Sequence, residues 1–181
     1  MKSEIQIDNS FTLFLDRDGV INKKINDGYV LSLDDFEFLP GVLDVMPKLA
    51  KLFTRIVVVT NQQCIAKDLL TVDDLNEIHL HMINIIELNG GRIDAVYYAP
   101  DLKSADNLLR KPNNGMALLA KNDFPEIDFT KSIMVGDHMT DMEFGKSVGM
   151  TTFYISINYN EHPLVDYSIP FLQNITDYLI S

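Results

Sequence analysis

Ten residues near the start, Phe11-Thr12-Leu13-Phe14-Leu15-Asp16-Arg17-Asp18-Gly19-Val20, constrain this chain more than any other stretch. Five residues with the pattern of a buried strand run directly into two carboxylates two positions apart, and a glycine then lets the backbone turn away. Acidic side chains rarely end a buried strand unless a cation sits there, and in open α/β sheets ligands bind just beyond the strands' carboxyl ends. Taken alone, the same ten residues also suit an ordinary acidic turn. The rest of the chain decides between the two.

Downstream, strand-like and helix-like segments alternate. Residues 21–38 hold neither period and read as a loop or small flap over the sheet edge. Pro40-Gly41 opens an apolar-periodic segment to Leu52. Pro47 inside it predicts a kink or restart, because an interior proline costs about 3 kcal/mol in a helix. Residues 55–60 are a continuous β-branched run, the pattern of a strand covered on both faces. Thr71 with Asp74 resembles a capping box ahead of Leu75, Ile78, Met82 and Ile85, and Asn89-Gly90 stops that helix. Strands are expected at residues 93–99, 131–135 and 151–155. A short helix should follow Pro112, another should span about 140–148, and a last one should start near Pro170. Such alternation implies an α/β fold, a Rossmann-like, mostly parallel sheet with helices on both faces.

At 181 residues the chain has room for one core, so a single domain over 1–181 is expected. A content of 46% hydrophobic and 23% charged residues is that of a globular protein. Residues 1–10 include Lys2, Glu4 and Asp8 and lack the apolar stretch of a signal peptide. The one cysteine, Cys64, excludes an internal disulfide and any multi-cysteine zinc site, which fits a reducing, cytoplasmic setting. A net charge of −11 argues against nucleic-acid and anionic-membrane partners. A small phosphorylated molecule remains compatible if the site gathers its few cations, and the chain is expected to act as a monomer.

In a parallel sheet, Asp16, Asp18, Thr60-Asn61 and Asp137 all follow buried strands and so emerge on one edge, where Arg110-Lys111 can reach them. Carboxylates, a hydroxyl and an ammonium together form a kit for phosphoryl transfer. The carboxylates can hold a hard divalent cation, and hydroxyl and ammonium can hold the remaining phosphoryl oxygens. Asp16 can attack phosphorus, and Asp18 can protonate the leaving oxygen and then deprotonate a water. A phosphoacceptor switch, or a binding domain with little turnover, uses a similar kit. An acceptor on the first strand with an acid/base two residues later favours turnover.

At these residues the chain resembles the haloacid dehalogenase superfamily of phosphatases. Its DxDG pattern is Asp16-Arg17-Asp18-Gly19, its strand-end hydroxyl Thr60, its lysine Lys111, and its terminal acidic motif Gly136-Asp137 with Asp141. Within it, the chain looks like the D-glycero-D-manno-heptose 1,7-bisphosphate and histidinol-phosphate phosphatases. The carrying residues are Gly28-Tyr29-Val30, Thr60-Asn61-Gln62, Ile65-Ala66, Tyr97-Tyr98, Arg110-Lys111-Pro112 and Gly115-Met116. The resemblance implies Asp16 as nucleophile, Asp18 as acid/base, and Mg2+ held by Asp16, the Asp18 carbonyl and Asp137. It implies that Thr60, Asn61 and Lys111 bind the transferring group and that Arg110 contacts the rest of the substrate. The gaps between motifs are too short for a large cap domain. Gly28-Tyr29-Val30 and Ile65-Ala66 favour the heptose substrate, Thr140-Asp141 the histidinol one.

Two departures bear on specificity. Relatives usually carry a zinc loop of cysteines and a histidine before Arg-Lys-Pro, where this chain has Ala99, Asp101, Asn107 and Leu109. Without about four Cys/His ligands no structural zinc is held, so that loop should be ordered by packing of Leu102, Leu108 and Leu109, or be mobile. The second is the run Gln63-Cys64-Ile65-Ala66-Lys67-Asp68, which lacks the usual glycines at 64 and 68.

The remaining polar residues have bland readings beside the functional ones. His79 and His81, two apart on one helix, point to different faces and make a poor metal pair. His138 suits a substrate contact or an exposed first-turn histidine equally. Asp141 suits a helix cap as well as a catalytic place. Lys23 and Lys24 read as solvated loop lysines before they read as a second phosphate site.

Overall fold

The computed structural model describes residues 4–103, 107–158 and 161–180. Its strands are β1 (Ile5–Gln6), β2 (Thr12–Leu15), β3 (Arg55–Asn61), β4 (Ala95–Ala99), β5 (Ser132–Gly136), β6 (Thr151–Ile155), β7 (Tyr167–Ile169) and β8 (Leu179–Ile180). Its α-helices are α1 (Val42–Leu52), α2 (Val72–Leu88), α3 (Gly115–Asp123) and α4 (Met139–Ser147). Six strands form one all-parallel sheet in the order β4-β3-β2-β5-β6-β7. The chain therefore builds outward from β2 on one side, then returns and builds outward from β5 on the other. The strand order reverses between β2 and β5, and the crevice where open α/β sheets bind ligands lies at their carboxyl ends.

Alternation along the strands splits the core into two layers. Leu13, Leu15, Ile56, Val58, Ile133 and Val135 pack with Val45, Met46 and Leu49 of α1 and with Leu75, Ile78, Met82 and Ile86 of α2. On the opposite face Phe14, Val57, Val59 and Met134 meet Met116, Ala117 and Ala120 of α3 and Phe144 of α4. Both faces of β2 are thus dry, which is why its sequence is an unbroken apolar run.

Three expectations need correction. First, of the kink or restart expected at Pro47, the restart is absent: α1 is one helix from Val42 to Leu52. Burying Val45, Met46 and Leu49, at about 1.5–3 kcal/mol each, outweighs the roughly 3 kcal/mol an interior proline costs. Second, the last helix is a 3-10 segment, Leu172–Tyr178, that leads into β8 paired in parallel with β1. Leu172 and Ile175, both buried, and Tyr178 repeat every three residues, the 3-10 period rather than the α period. Tyr178 closes an aromatic cluster in which Tyr167 stacks on Phe153 at 4.7 Å. Third, β1, β7 and β8 were not expected; they are two or three residues long and show no period of their own.

The capping box of α2 is formed as expected, and Gly90, at φ +80°, ends that helix. Between β2 and α1 the described residues hold only a 3-10 turn, Leu33–Asp35, and isolated bridges, nothing of cap-domain size. No helix among the described residues is long and apolar enough to cross a membrane.

Candidate active site

Each motif residue reaches the crevice from the end of a buried element. Asp16 follows β2 and continues its ladder, its N–H donating to Val135 O at 3.0 Å. Thr60 and Asn61 end β3, Asp137 follows β5, and Arg110-Lys111 precede α3. All of them, with Asp18, line one cleft of about 490 Å3. Two glycines allow this crowding. A Cβ on Gly19, at φ +87°, would lie 2.3 Å from Asp137 Oδ2, and one on Gly136 would lie 2.2 Å from the Asp141 Cβ.

Lys111 is the hub. Only 2% exposed, its ammonium lies 2.9 Å from Asp16 Oδ1 and 2.7 Å from Asp141 Oδ1, and donates to Val59 O at 2.7 Å. Burial works against its charge, but the Asp141 and Asp16 carboxylates prevail and hold its pKa above the usual lysine value. Asn61 fixes the lysine's backbone: its Oδ1 accepts from Lys111 N at 3.0 Å, and its Nδ2 donates to Lys111 O at 3.1 Å. Asn61 also lines the cleft, and its second amide N–H is not used by Lys111.

Asp16 and Asp18 have opposite environments. Burial, with the nearby charges of Asp141 and Asp18, pushes the Asp16 carboxyl up to about 6 against the pull of Lys111. Its Oδ1 also accepts from Arg17 N at 2.8 Å, so the carboxylate's orientation is set on one side. Partial burial works to raise the Asp18 pKa, but the Arg17 guanidinium and the Asn22 and Gln62 amides hold it below the usual carboxylate value. Arg17 Nη2 reaches both its oxygens at 3.0 and 3.1 Å, Asn22 Nδ2 donates at 2.9 Å, and Gln62 Nε2 donates at 2.9 Å. Gln62 Nε2 donates also to Thr60 Oγ1 at 2.8 Å, which leaves the threonine's own proton free to be given.

Asp16, Asp137 and Asp141 each present a carboxylate oxygen within 4.8 Å of the others. Asp137 Oδ1 is buried without a hydrogen-bond partner, while its Oδ2 pairs with Lys24 Nζ at 2.8 Å. Burial and the Asp16 charge raise the Asp137 pKa. A buried orphan acceptor among three carboxylates fits a hard cation with oxygen ligands. Asp141 forms the cap its sequence position allows and also pairs with Lys111. Its Oδ2 accepts from His138 N at 3.0 Å, closing a capping box on α4, and its other oxygen faces Lys111. His138 is the N-cap of α4 and also lines the cleft.

Arg110 enters the cleft from the loop ahead of α3, its Nη1 donating to Asp101 O at 3.2 Å. The expected leucine packing is not what orders this loop. Leu108 is 78% exposed and Leu102 37%, and only Leu109 leans on the core. Polar contacts do the work instead: Asn107 donates to the Asp101 carboxylate, Leu109 N donates to Asn107 Oδ1 at 2.6 Å, and Asn113 donates to Asn107 O at 2.8 Å. Asp101 and Asn107 thus pair at two of the four positions where the resemblance places zinc ligands; residues 104–106 lie outside the described residues. Of the two loop lysines, Lys24 lines the cleft, whereas Lys23 pairs with Glu37 and does not.

Two contributors were missed at the sequence level. Gln62 bridges Asp18 and Thr60, although the run Thr60-Asn61-Gln62 had singled it out. His79 is 5% exposed, and its Nε2 lies 3.2 Å from Arg17 Nη1. Four residues after Leu75 and three before Met82, it falls on the buried stripe of α2, a signal the sequence does carry. His81, as expected, faces elsewhere, against Phe36. Cys64 is buried, with its thiol raised by burial, and donates to Gln62 Oε1, so it is no reactive thiol.

Sheet order, switch-point carboxylates and buried lysine together define a phosphoryl-transfer enzyme of the open α/β type. A family model described as polynucleotide kinase 3 phosphatase matches residues 12–167. The chain is 36% identical over 147 residues to a D-glycero-alpha-D-manno-heptose-1,7-bisphosphate 7-phosphatase of Burkholderia mallei, spanning 77% of this chain and 76% of that protein. It is 37% identical over 147 residues to a D-glycero-beta-D-manno-heptose-1,7-bisphosphate 7-phosphatase of Escherichia coli K12, spanning 77% and 75%. Among solved structures, a D,D-heptose 1,7-bisphosphate phosphatase from B. bronchiseptica, complexed with magnesium and phosphate, superposes with a TM-score of 0.83. It shares 25% identity, covering 92% of this chain and 96% of that one. The chain is a phosphatase of the haloacid dehalogenase superfamily and belongs to its heptose bisphosphate phosphatase-like family.

Proposed function

We propose that this phosphatase hydrolyses D-glycero-D-manno-heptose 1,7-bisphosphate at its 7-phosphate, with Mg2+ as cofactor, as a cytoplasmic, monomeric, single-domain enzyme without nucleic-acid or membrane partners. The observation that carries the chemistry is the buried Lys111 ion-paired to Asp16 at the switch point. The substrate rests on the names of the relatives. Both α and β anomers occur among those names, so the anomer is a question for the assay.

Asp16, Asp137 and the Asp18 carbonyl would hold Mg2+, with Asp141 close by; bound there, it would neutralise phosphoryl charge. Asp16 Oδ1 is held by Arg17 N–H and Lys111, which leaves Oδ2 to attack phosphorus. As that O–P bond forms, the bond from phosphorus to the sugar oxygen breaks, and Asp18 gives this oxygen its proton. A water then attacks phosphorus while Asp18 takes its proton, the Asp16–phosphorus bond breaks, and phosphate leaves. The resting Asp18 is the carboxylate that this second step uses. The first step needs its protonated form, which a phosphoryl anion arriving beside it favours, as neighbouring like charge does. Lys111 and the free proton of Thr60 bind the transferring oxygens, with the spare N–H of Asn61. Arg110 and Lys103, both lining the cleft, give the uncleaved phosphate a cationic surface.

Phosphate release from a panel of both heptose bisphosphate anomers, histidinol phosphate, other sugar phosphates and a nucleotide tests the reading. Preference for a heptose bisphosphate is expected. Preference for histidinol phosphate, or for none of the sugars, overturns the substrate and leaves the phosphatase standing.

A further inference from the structure

Arg17 is fully buried, yet its guanidinium is not simply salt-bridged. Nη2 serves both oxygens of Asp18, Nε has no partner, and Nη1 lies 3.2 Å from His79 Nε2. A guanidinium only donates, so His79 Nε2 must be the acceptor, and the ring's one proton sits on Nδ1. A neutral imidazole is what this place allows: burial and the Arg17 charge hold the His79 pKa down to about 3. The ring is in turn set against Tyr98, with centroids 6.0 Å apart. One nitrogen of Arg17 is therefore braced by α2 while another grips Asp18.

We infer that His79 is a positioning residue of the reaction: by bracing Arg17 it holds the Asp18 carboxylate where it meets the scissile bond. His79 does not line the cleft and acts only through Arg17. Asn22 and Gln62 hold Asp18 from other directions, but only Arg17 reaches both of its oxygens. Without an acceptor at position 79, Arg17 would have two buried nitrogens unpartnered, Nε and Nη1. A buried donor without a partner is costly, so the side chain would move to find one and take Asp18 with it. The inference rests on the reading of Asp18 as acid/base given above.

Leaving-group dependence separates this role from a structural one. A sugar alkoxide needs the proton that Asp18 gives, whereas p-nitrophenolate does not. The test measures single-turnover release of the leaving group, the step in which Asp18 acts as acid, by wild type, His79→Leu, His79→Gln, His79→Asn and Asp18→Asn on heptose 1,7-bisphosphate and on p-nitrophenyl phosphate, because the later attack of water is common to both substrates. His79→Leu should lose about tenfold or more in that rate on the sugar phosphate, a part of the roughly 10²–10⁴-fold a general acid supplies, and little on the aryl phosphate. His79→Gln, whose amide oxygen can accept from Arg17, should recover most of the loss, and the shorter Asn should not. Should His79→Leu fail to fold, the Gln and Asn pair carries the same contrast. Equal losses on both substrates in the His79 variants, with Asp18→Asn selective, overturn the inference alone. Equal losses in Asp18→Asn itself overturn the acid/base reading and this inference with it.

Discussion

The ammonium of Lys111 lies 2.9 Å from Asp16 Oδ1, and this contact joins the loop before α3 to the end of β2 in the floor of the cleft. Removing one partner of such a buried pair is expected to destabilise by about 3–5 kcal/mol, because the other charge is left unpaired. Lys111→Met should show a loss of that order by urea unfolding of the metal-free protein at pH 7. The loss should shrink at pH 5, where Asp16, whose pKa is already about 6 with the lysine present, takes up a proton. An equal loss at both pH values would mean that the lysine acts through packing rather than charge.

His79 makes stability depend on pH in a definite direction. Its folded pKa of about 3 lies below the unfolded value near 6.5, so its contribution is complete above about 6.5 and is lost as pH falls toward 3. Between pH 6.5 and 5 that is about 2 kcal/mol. Asp16 has the opposite sign: raised from 3.8 to about 6, it favours the fold below 3.8 and loses that contribution as pH rises through 6. Comparing wild type with His79→Gln isolates the histidine. The gap between them should narrow on acidification, and a constant gap would place a charged imidazole in the fold.

Lys24 pairs with an oxygen of the same carboxylate that would hold the cation, and so competes with it. Burial opposes its charge, yet Asp137, with Asp16 and Asp141 nearby, holds the Lys24 pKa above the usual value, so it competes across the working pH range. Lys24→Met should tighten Mg2+ binding severalfold by calorimetry and enlarge the rise in Tm that Mg2+ gives. EDTA should abolish activity and Mg2+ restore it. Elemental analysis should find no stoichiometric zinc, since the Asp101–Asn107 pair offers no thiolate.

Arg110 should act on the end of the substrate that is not cleaved. Arg110→Ala is expected to reduce kcat/KM for the bisphosphate far more than for a small aryl phosphate, since only the former uses remote binding energy there. Equal losses would put Arg110 at the reacting phosphoryl group. Asp101→Ala and Asn107→Ala should repeat the Arg110 pattern more weakly, because they loosen the loop whose Asp101 carbonyl accepts from Arg110 but leave the guanidinium in place.

What was legible in the sequence was what is local. The apolar run 11–15 and the β-branched run 55–60 announce strands because both faces are covered, and a parallel sheet then brings Asp16, Thr60 and Asp137 to one edge without further information. Gly19 is legible as a turn and Gly136 as part of the terminal acidic motif, but the closeness to Asp137 and Asp141 that requires them is tertiary. The tail departs from the helix expected near Pro170 because Leu172, Ile175 and Tyr178 recur every three residues, which suits a 3-10 turn. In the loop before Arg110, Leu102 and Leu108 stay exposed and the order comes from Asp101 and Asn107, polar residues that no hydrophobic period marks. Bracing of Arg17 by His79 spans 62 residues, and only the place of His79 on the buried stripe of α2 hinted at it.

Covalent chemistry at Asp16 is tested most directly by phosphate release from Asp16→Asn with heptose 1,7-bisphosphate and Mg2+, beside a circular-dichroism check of the fold. A neutral amide cannot form the acyl-phosphate, so turnover should fall by orders of magnitude in a folded protein. A folded Asp16→Asn enzyme that releases phosphate at a near-normal rate would contradict the aspartyl-phosphate mechanism.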